Sequence, residues 1–180
     1  MLVVDPSSDC ELMRTLYIQK DEVNWVEVGW YQDGADGSLD ICTDTLTPHV
    51  LVYAFVYGYI KCKPSVPTLS AGEEYSFKVA NPDHDLDFTY YWDSDSTPDQ
   101  SLGSYSTLHA KGYPQASDER RNGTDDSLRA SFDMTESLGS GGGWHSFPTP
   151  VRLEEYRDTS GWAVCSWSGN GLVVRSESTC

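Results

Sequence analysis

The sequence predicts an all-β protein, an antiparallel two-sheet β-sandwich. Three observations lead there. Apolar residues recur with a period of two along most of the chain, and the runs that carry them are rich in aromatic and β-branched residues. Gly, Pro, Asp and Ser clusters punctuate those runs. Helix signals are weak, because the Pro, Gly and Ser residues leave no long window of good helix formers.

The expected strands are 12–19, 24–31, 38–43, 50–62, 74–80, 87–92, 104–110, 128–134, 151–156, 162–167 and 172–176. In 24–31, Val26, Val28 and Trp30 share one side, while Trp25, Glu27, Gly29 and Tyr31 share the other, so Glu27 interrupts an otherwise aromatic face. A carboxylate there belongs at the solvent side of a sheet or in a cleft floored by Trp25 and Tyr31. Asp33, Gly34, Ala35, Asp36 and Gly37 read as a hairpin turn. The stretch VLVYAFVYGYI, inside 50–62, has no polar face: Val50, Val52, Ala54, Val56, Gly58 and Ile60 alternate with Leu51, Tyr53, Phe55, Tyr57 and Tyr59. It reads as a central strand covered on both sides, or as one whose aromatic side is a platform for something else.

The segment 63–74 is a Pro-punctuated crossover, and 74–80 alternates cleanly, with Tyr75, Phe77 and Val79 opposite Glu74, Ser76 and Lys78. SLGSGGG at 137–143 is a flexible low-complexity loop, and Asn170 and Gly171 give a strong type I′ hairpin signal. About eleven short strands joined by long crossovers point to the jelly-roll type of sandwich. With 180 residues the chain is long enough for a single domain, 1–180.

Composition narrows the function classes. Lys and Arg number 12 against 28 acidic residues, and the formal charge of -16 opposes nucleic acid or an anionic membrane as partner. It favours solubility, cation binding or a saline setting. No apolar run reaches the roughly 20 residues of a membrane helix, and the N-terminus carries no signal peptide. Cys10, Cys42, Cys62, Cys165 and Cys180 form no C-x-x-C pattern, so disulfides are expected before zinc, and with them an extracellular or cell-surface location. Asn122, Gly123 and Thr124 form a glycosylation sequon.

Two resemblances add to this. GEEYSFKV from Gly72 to Val79, followed by FTYYWD from Phe88 to Asp93, resembles the strand pair of concanavalin-like and laminin-G-like sandwiches, as do WVEVGWYQDG and Trp144 to Phe147. That likeness implies a jelly roll that binds glycans or proteins, often with calcium at a rim. Tyr17-Ile18-Gln19 ahead of WVEVGWY, with Glu119 ahead of LRASF, is similar to glutamic peptidases of the same fold. It implies a dyad of Gln19 and Glu119.

The candidate sites follow. Asp93, Asp95, Thr97 and Asp99 place oxygens at alternate loop positions, as Ca2+ needs, although the same residues also make a polar turn. Asp33, Asp36 and Asp40, or Asp83, Asp85 and Asp87, are further oxygen donors. Tyr53, Phe55, Tyr57 and Tyr59, joined by Trp25 and Trp92, form a candidate ring-stacking face for a sugar, with Glu27 among them; the same spacing also serves a core. The four histidines are scattered and no G-x-S-x-G elbow occurs, so a nucleophile triad is not supported. Glu27 and Glu119 are the carboxylates a glycanase would use. The expected function is an extracellular binding module, for carbohydrate first and protein second. The alternatives are a hydrolase on the same fold, of glutamic-peptidase or glycanase type, and a structural subunit whose two-sided strand is covered in a homo-oligomer.

Overall fold

The computed structural model describes residues 1, 3, 11–32, 47–63, 66–81, 83, 85–95, 98–110, 112–121, 129–133, 135–137, 144–146, 163–168 and 171–175. For 11–12 and from 113 onward it describes the backbone alone. The expected strands 38–43 and 151–156, the turn at 33–37, Thr97, Asp40 and most of the glycine loop lie outside the described residues.

Every described element is a strand: β1 (Glu11–Asp21), β2 (Asn24–Gln32), β3 (His49–Val56), β4 (Tyr59–Cys62), β5 (Ser76–Ala80), β6 (Asp87–Asp93), β7 (Gln100–Ser106), β8 (Tyr113–Arg121), β9 (Arg129–Asp133), β10 (Thr135–Ser137), β11 (Trp144–Ser146), β12 (Ala163–Ser168) and β13 (Gly171–Arg175). All the pairings are antiparallel. The chain divides into two compact units, Met1–Thr124 and Asp125–Cys180. No helix among the described residues is long and apolar enough to cross a membrane.

The first unit is a β-sandwich. Its larger sheet runs β4-β3-β2-β1-β8 and its smaller one β5-β6-β7. Val26, Val28, Trp30, Val50, Val52 and Ala54 are buried on one side of the larger sheet, and Phe77, Phe88 and Tyr90 are buried on the smaller. Ile18 and Val26 line a recess with Phe88, so this side of the larger sheet meets the smaller one. Each such valine contributes roughly 1.5–3 kcal/mol by leaving water. The Tyr90 hydroxyl crosses between the sheets and donates to the Tyr53 carbonyl at 3.3 Å. The opposite side of the larger sheet carries a second cluster of Tyr31, Leu51 and Tyr53, with Met13, Trp25, Phe55 and Cys62 packed against it. A sheet covered on one side and clustered with rings on the other needs strands that are apolar on both faces, which is why residues 50–56 lack a polar side.

The long strand expected over 50–62 is two strands. Tyr57 (φ 53°) and Gly58 (φ 80°) turn the chain back, and Val56 pairs with Tyr59 across them. Two central residues with positive φ make a type I′ turn. The ring row therefore breaks: Tyr53 is buried and Phe55 half-buried, whereas Tyr57 is 66 % and Tyr59 75 % exposed, off the line. A four-ring sugar platform does not form. Tyr57 also occupies a backbone region that costs most L-residues about 1–2 kcal/mol and that asparagine tolerates. We expect Tyr57→Asn to raise unfolding stability by about 1 kcal/mol, read from the denaturant midpoint, because so exposed a ring has little packing to lose.

Three further differences have physical reasons. The strand expected at 104–110 begins at Gln100, since a bulge at Gly103 (φ 90°) lets the polar run QSLGS pair while Leu102 alone is buried. The strand β8 has no apolar alternation and contains Pro114; it is a strand because β1 pairs it from Glu11↔Arg121 to Gln19↔Tyr113. The strands β10 and β11 are three residues each, too short for a periodic signal.

In the second unit, β12, β13 and β9 form a sheet and β10 pairs with β11. The strands β12 and β13 pair as expected, with Ser168 opposite Gly171; residues 169–170 lie outside the described residues.

Candidate active site

Antiparallel register decides which residues meet on the clustered side of the larger sheet. Tyr17, Glu27 and Tyr53 form one row across β1, β2 and β3, and Gln19, Trp25 and Phe55 form the next. On the other side of Glu27 the row is Thr15, Gly29 and Leu51. Gly29 contributes no side chain to that row, and the backbone of β1 closes against it. Thr15, one row along from Glu27 on the neighbouring strand, donates its hydroxyl to Glu27 Oε1. The Trp25 indole N–H donates to Glu27 Oε2 at 3.2 Å. Glu27 is only 5 % exposed, so it does not stand at an open solvent side of the sheet.

Both oxygens of this carboxylate are thus held by fixed donors in a ring-lined setting. The Trp25 ring stacks on Phe55 at 4.2 Å with planes 27° apart, and stands 6.1 Å from Tyr53 at 43°. Burial first, then Tyr105, then the negative charge of Glu27 push the Tyr90 phenol above its ordinary range, so its proton stays on to serve the Tyr53 carbonyl. A buried carboxylate with oriented donors can accept a proton from water or from a substrate group at a defined place.

The other expected residues are distributed as follows. Gln19 is half-buried and sits one row from Glu27 on the adjacent strand, the diagonal neighbour position. Glu119 lies on β8 opposite Met13, whereas Gln19 lies opposite Tyr113. Six residues of strand rise separate Gln19 from Glu119, about 20 Å. The register does not bring that dyad together. Glu27 and Glu119 are two strands and four residues apart, about 16 Å between Cα positions. Trp92 is half-buried on the smaller sheet, 6.0 Å from Tyr75 and on the same side of β6 as Phe88 and Tyr90, away from the Glu27 row. Thr15 and Gly29 had no sequence signal, because neither matters until β1 and β2 are paired.

The Asp-rich loop between β6 and β7 bonds to itself. Asp93 is buried and accepts from Ser94 N at 2.6 Å and Gln100 Nε2 at 3.3 Å, and it shares a side-chain hydrogen bond with Asp99. Asp95 adds a backbone N–H to Asp93. Likewise Asp85 accepts from the Asp87 N–H at 2.8 Å. No group of three or more His, Cys, Asp or Glu residues among the described residues is placed to hold a metal ion.

The Asp93–Asp99 pair has a pH signature. The shared hydrogen bond holds Asp93 below the ordinary carboxyl range and, with the charge of Asp93, lifts Asp99 above it. The contribution of Asp99 is complete at pH below its unfolded value and is lost as pH rises through its raised value; that of Asp93 is present above its unfolded value and is lost as pH falls through its depressed one. The pair is therefore strongest while one proton remains on it. We expect thermal stability to rise as pH falls toward that window, and Asp99→Asn, a permanent donor, to flatten the rise.

No family model matches the chain, and no curated protein matches it. Among solved structures the crystal structure of aspergilloglutamic peptidase from Aspergillus niger matches over 92 % of this chain and 98 % of that chain, with a TM-score of 0.57 and 16 % identity. The fold is similar to that of a glutamic peptidase. The narrower of the two sequence resemblances thus has a structural counterpart, and the laminin-G-like one has none in this comparison.

Proposed function

We propose that the chain is a hydrolase of the glutamic-peptidase kind, acting on polypeptide as one domain spanning 1–180. The observation that carries the reading is Glu27, a buried carboxylate gripped by Thr15 and Trp25 in a ring-lined row of the larger sheet, with Gln19 one row away. The similarity to aspergilloglutamic peptidase over nearly the whole chain supports it. In the proposed chemistry Glu27 takes a proton from water as the water attacks a peptide carbonyl, and returns it to the amide nitrogen as the C–N bond breaks and the amine leaves. The Gln19 amide, a neutral donor, stabilises the oxyanion that forms. This replaces the Gln19–Glu119 dyad, whose members stand too far apart along the β1–β8 ladder. An extracellular location and oxidation of Cys62 belong to the same proposal.

The test is digestion of unfolded casein across acidic to neutral pH. Wild type should cleave it, Glu27→Gln and Gln19→Ala should fail, and Glu119→Gln should retain activity. No cleavage by wild type, or loss in Glu119→Gln with activity kept in Glu27→Gln, would remove the assignment.

A further inference from the structure

The larger sheet ends at β4, and no further strand pairs with β4 among the described residues. Residues 57–60 hold three of the six large hydrophobic side chains that the described residues leave exposed, namely Tyr57, Tyr59 and Ile60, the last at 51 %. Exposed apolar surface is thus concentrated on this edge. The β3–β4 ladder fixes its backbone pattern: Val56 pairs with Tyr59, Ala54 with Lys61, and the Lys63 N–H donates to the Val52 carbonyl at 3.2 Å. Hydrogen-bonded pairs alternate along an antiparallel ladder, so residues 59, 61 and 63 turn their N–H and C=O groups to β3 and Ile60 turns both of its own outward. Ile60 stands on the clustered side with Phe55, while Tyr59 and Lys61 share the other side.

We infer that the β4 edge is a self-docking surface, on which a second copy of this chain adds its own β4 antiparallel about a two-fold axis at Ile60. An outward N–H and C=O on an extended strand are matched by the edge of another strand, which is why open edges are sites of strand addition. Centred on Ile60, the two copies exchange a pair of backbone hydrogen bonds between Ile60 and its counterpart, and Tyr59 of each faces Lys61 of the other. An ammonium over a tyrosine ring is attractive, and this fold already holds one such pair, with Lys78 Nζ 4.2 Å from the Tyr91 ring. The neighbouring registers fail. An axis at Lys61 opposes two lysines, an axis at Cys62 opposes Lys61 to Lys63, and an axis at Tyr59 opposes Ile60 to Gly58, whose φ of 80° takes it out of the extended ladder. Lys61 thus deters other pairings and serves this one. A two-fold pairing consumes the edge on both copies, so the assembly closes at two.

Each copy carries a formal charge of -16, which repels at a distance, whereas β4 itself includes a single charge, Lys61. Salt shortens the reach of that repulsion to about 8 Å at physiological ionic strength and leaves backbone hydrogen bonds and apolar contact in place. A four-residue edge buries less than the about 800 Å² per partner of a standard interface. The dimer is therefore weak, dependent on concentration and favoured by salt. It sets the five strands of each copy in one continuous sheet, with the two clustered faces on the same side. Neither its formation nor its register depends on the hydrolase reading.

Sedimentation velocity over a concentration series, from about 1 μM to about 1 mM, is the test. Wild type should pass from monomer to dimer and no further, with an association constant that rises at least threefold from low to high salt. Ile60→Pro removes only the outward N–H, so it should keep the circular dichroism spectrum and lower the association constant at least tenfold. Tyr59→Lys sets like charges opposite each other at both pairs and should also lower it at least tenfold. Combining Tyr59→Lys with Lys61→Tyr puts a Lys opposite a Tyr again and should recover the constant to within threefold of wild type. That recovery separates the register from a general loss of apolar surface, and it decides the matter even where Ile60→Pro fails to fold. A wild type that stays monomeric throughout overturns the inference and leaves the edge to a strand of another polypeptide. Dimers that persist in both Ile60→Pro and Tyr59→Lys, that grow beyond two copies, or that the double exchange does not recover, overturn it as well.

Discussion

Gly29→Ala should unfold a large fraction of the protein's stability, with a loss of about 3 kcal/mol or more. A Cβ at Gly29 would lie 2.0 Å from the Arg14 carbonyl oxygen and 2.7 Å from the Thr15 Cα. Both obstacles are backbone atoms of β1, the strand paired with β2 at Thr15↔Gly29. A flexible side chain would swing away at small cost; a strand held on both sides by β2 and β8 must move as a ladder. The cost is steric, since Gly29 is not among the residues with positive φ. Against a domain stability of roughly 5–15 kcal/mol, a loss of this size is decisive. Denaturant titration followed by circular dichroism reads it, and a change below about 0.5 kcal/mol would show that β1 and β2 are not this close.

The second large effect is on Glu27, where two substitutions should separate fold from chemistry. In Glu27→Gln the amide oxygen can accept from the Trp25 N–H, and the amide nitrogen can donate to the Thr15 hydroxyl, which accepts as readily as it donates. The network is re-made without an ionisable group. Stability should change by less than about 1 kcal/mol while cleavage falls by about 10²–10⁴-fold, the usual worth of a general base. In Glu27→Ala the Trp25 N–H and the Thr15 hydroxyl lose their acceptor in a buried place, at about 1–3 kcal/mol for each unsatisfied group. Parallel losses of stability and activity in both variants would mark Glu27 as structural only.

Several features were legible from local pattern. Alternation in WVEVGWY separates Val26, Val28 and Trp30 from Trp25, Glu27 and Tyr31, and the structure keeps that division. The two-sided apolar character of 50–56 announced a covered strand, and it lies inside a five-stranded sheet. The turn at Tyr57 and Gly58 was not legible, because tyrosine is a poor residue for positive φ and the run looks continuous. The strand β8 was hidden as well: YPQASDERR has no apolar side, and only its partner β1 makes it a strand.

The sequence by itself determined that this chain is built from strands and which side chains share a face, since both follow from a two-residue period carried along the backbone. Only the tertiary structure decided who stands beside whom across strands. That Glu27 meets Thr15, Trp25 and the diagonal Gln19, and that Glu119 stands about 20 Å from Gln19 along the ladder, are consequences of register. Register is set by pairings between residues distant in the chain, and a shift of one position would turn every side chain of a strand to the other face.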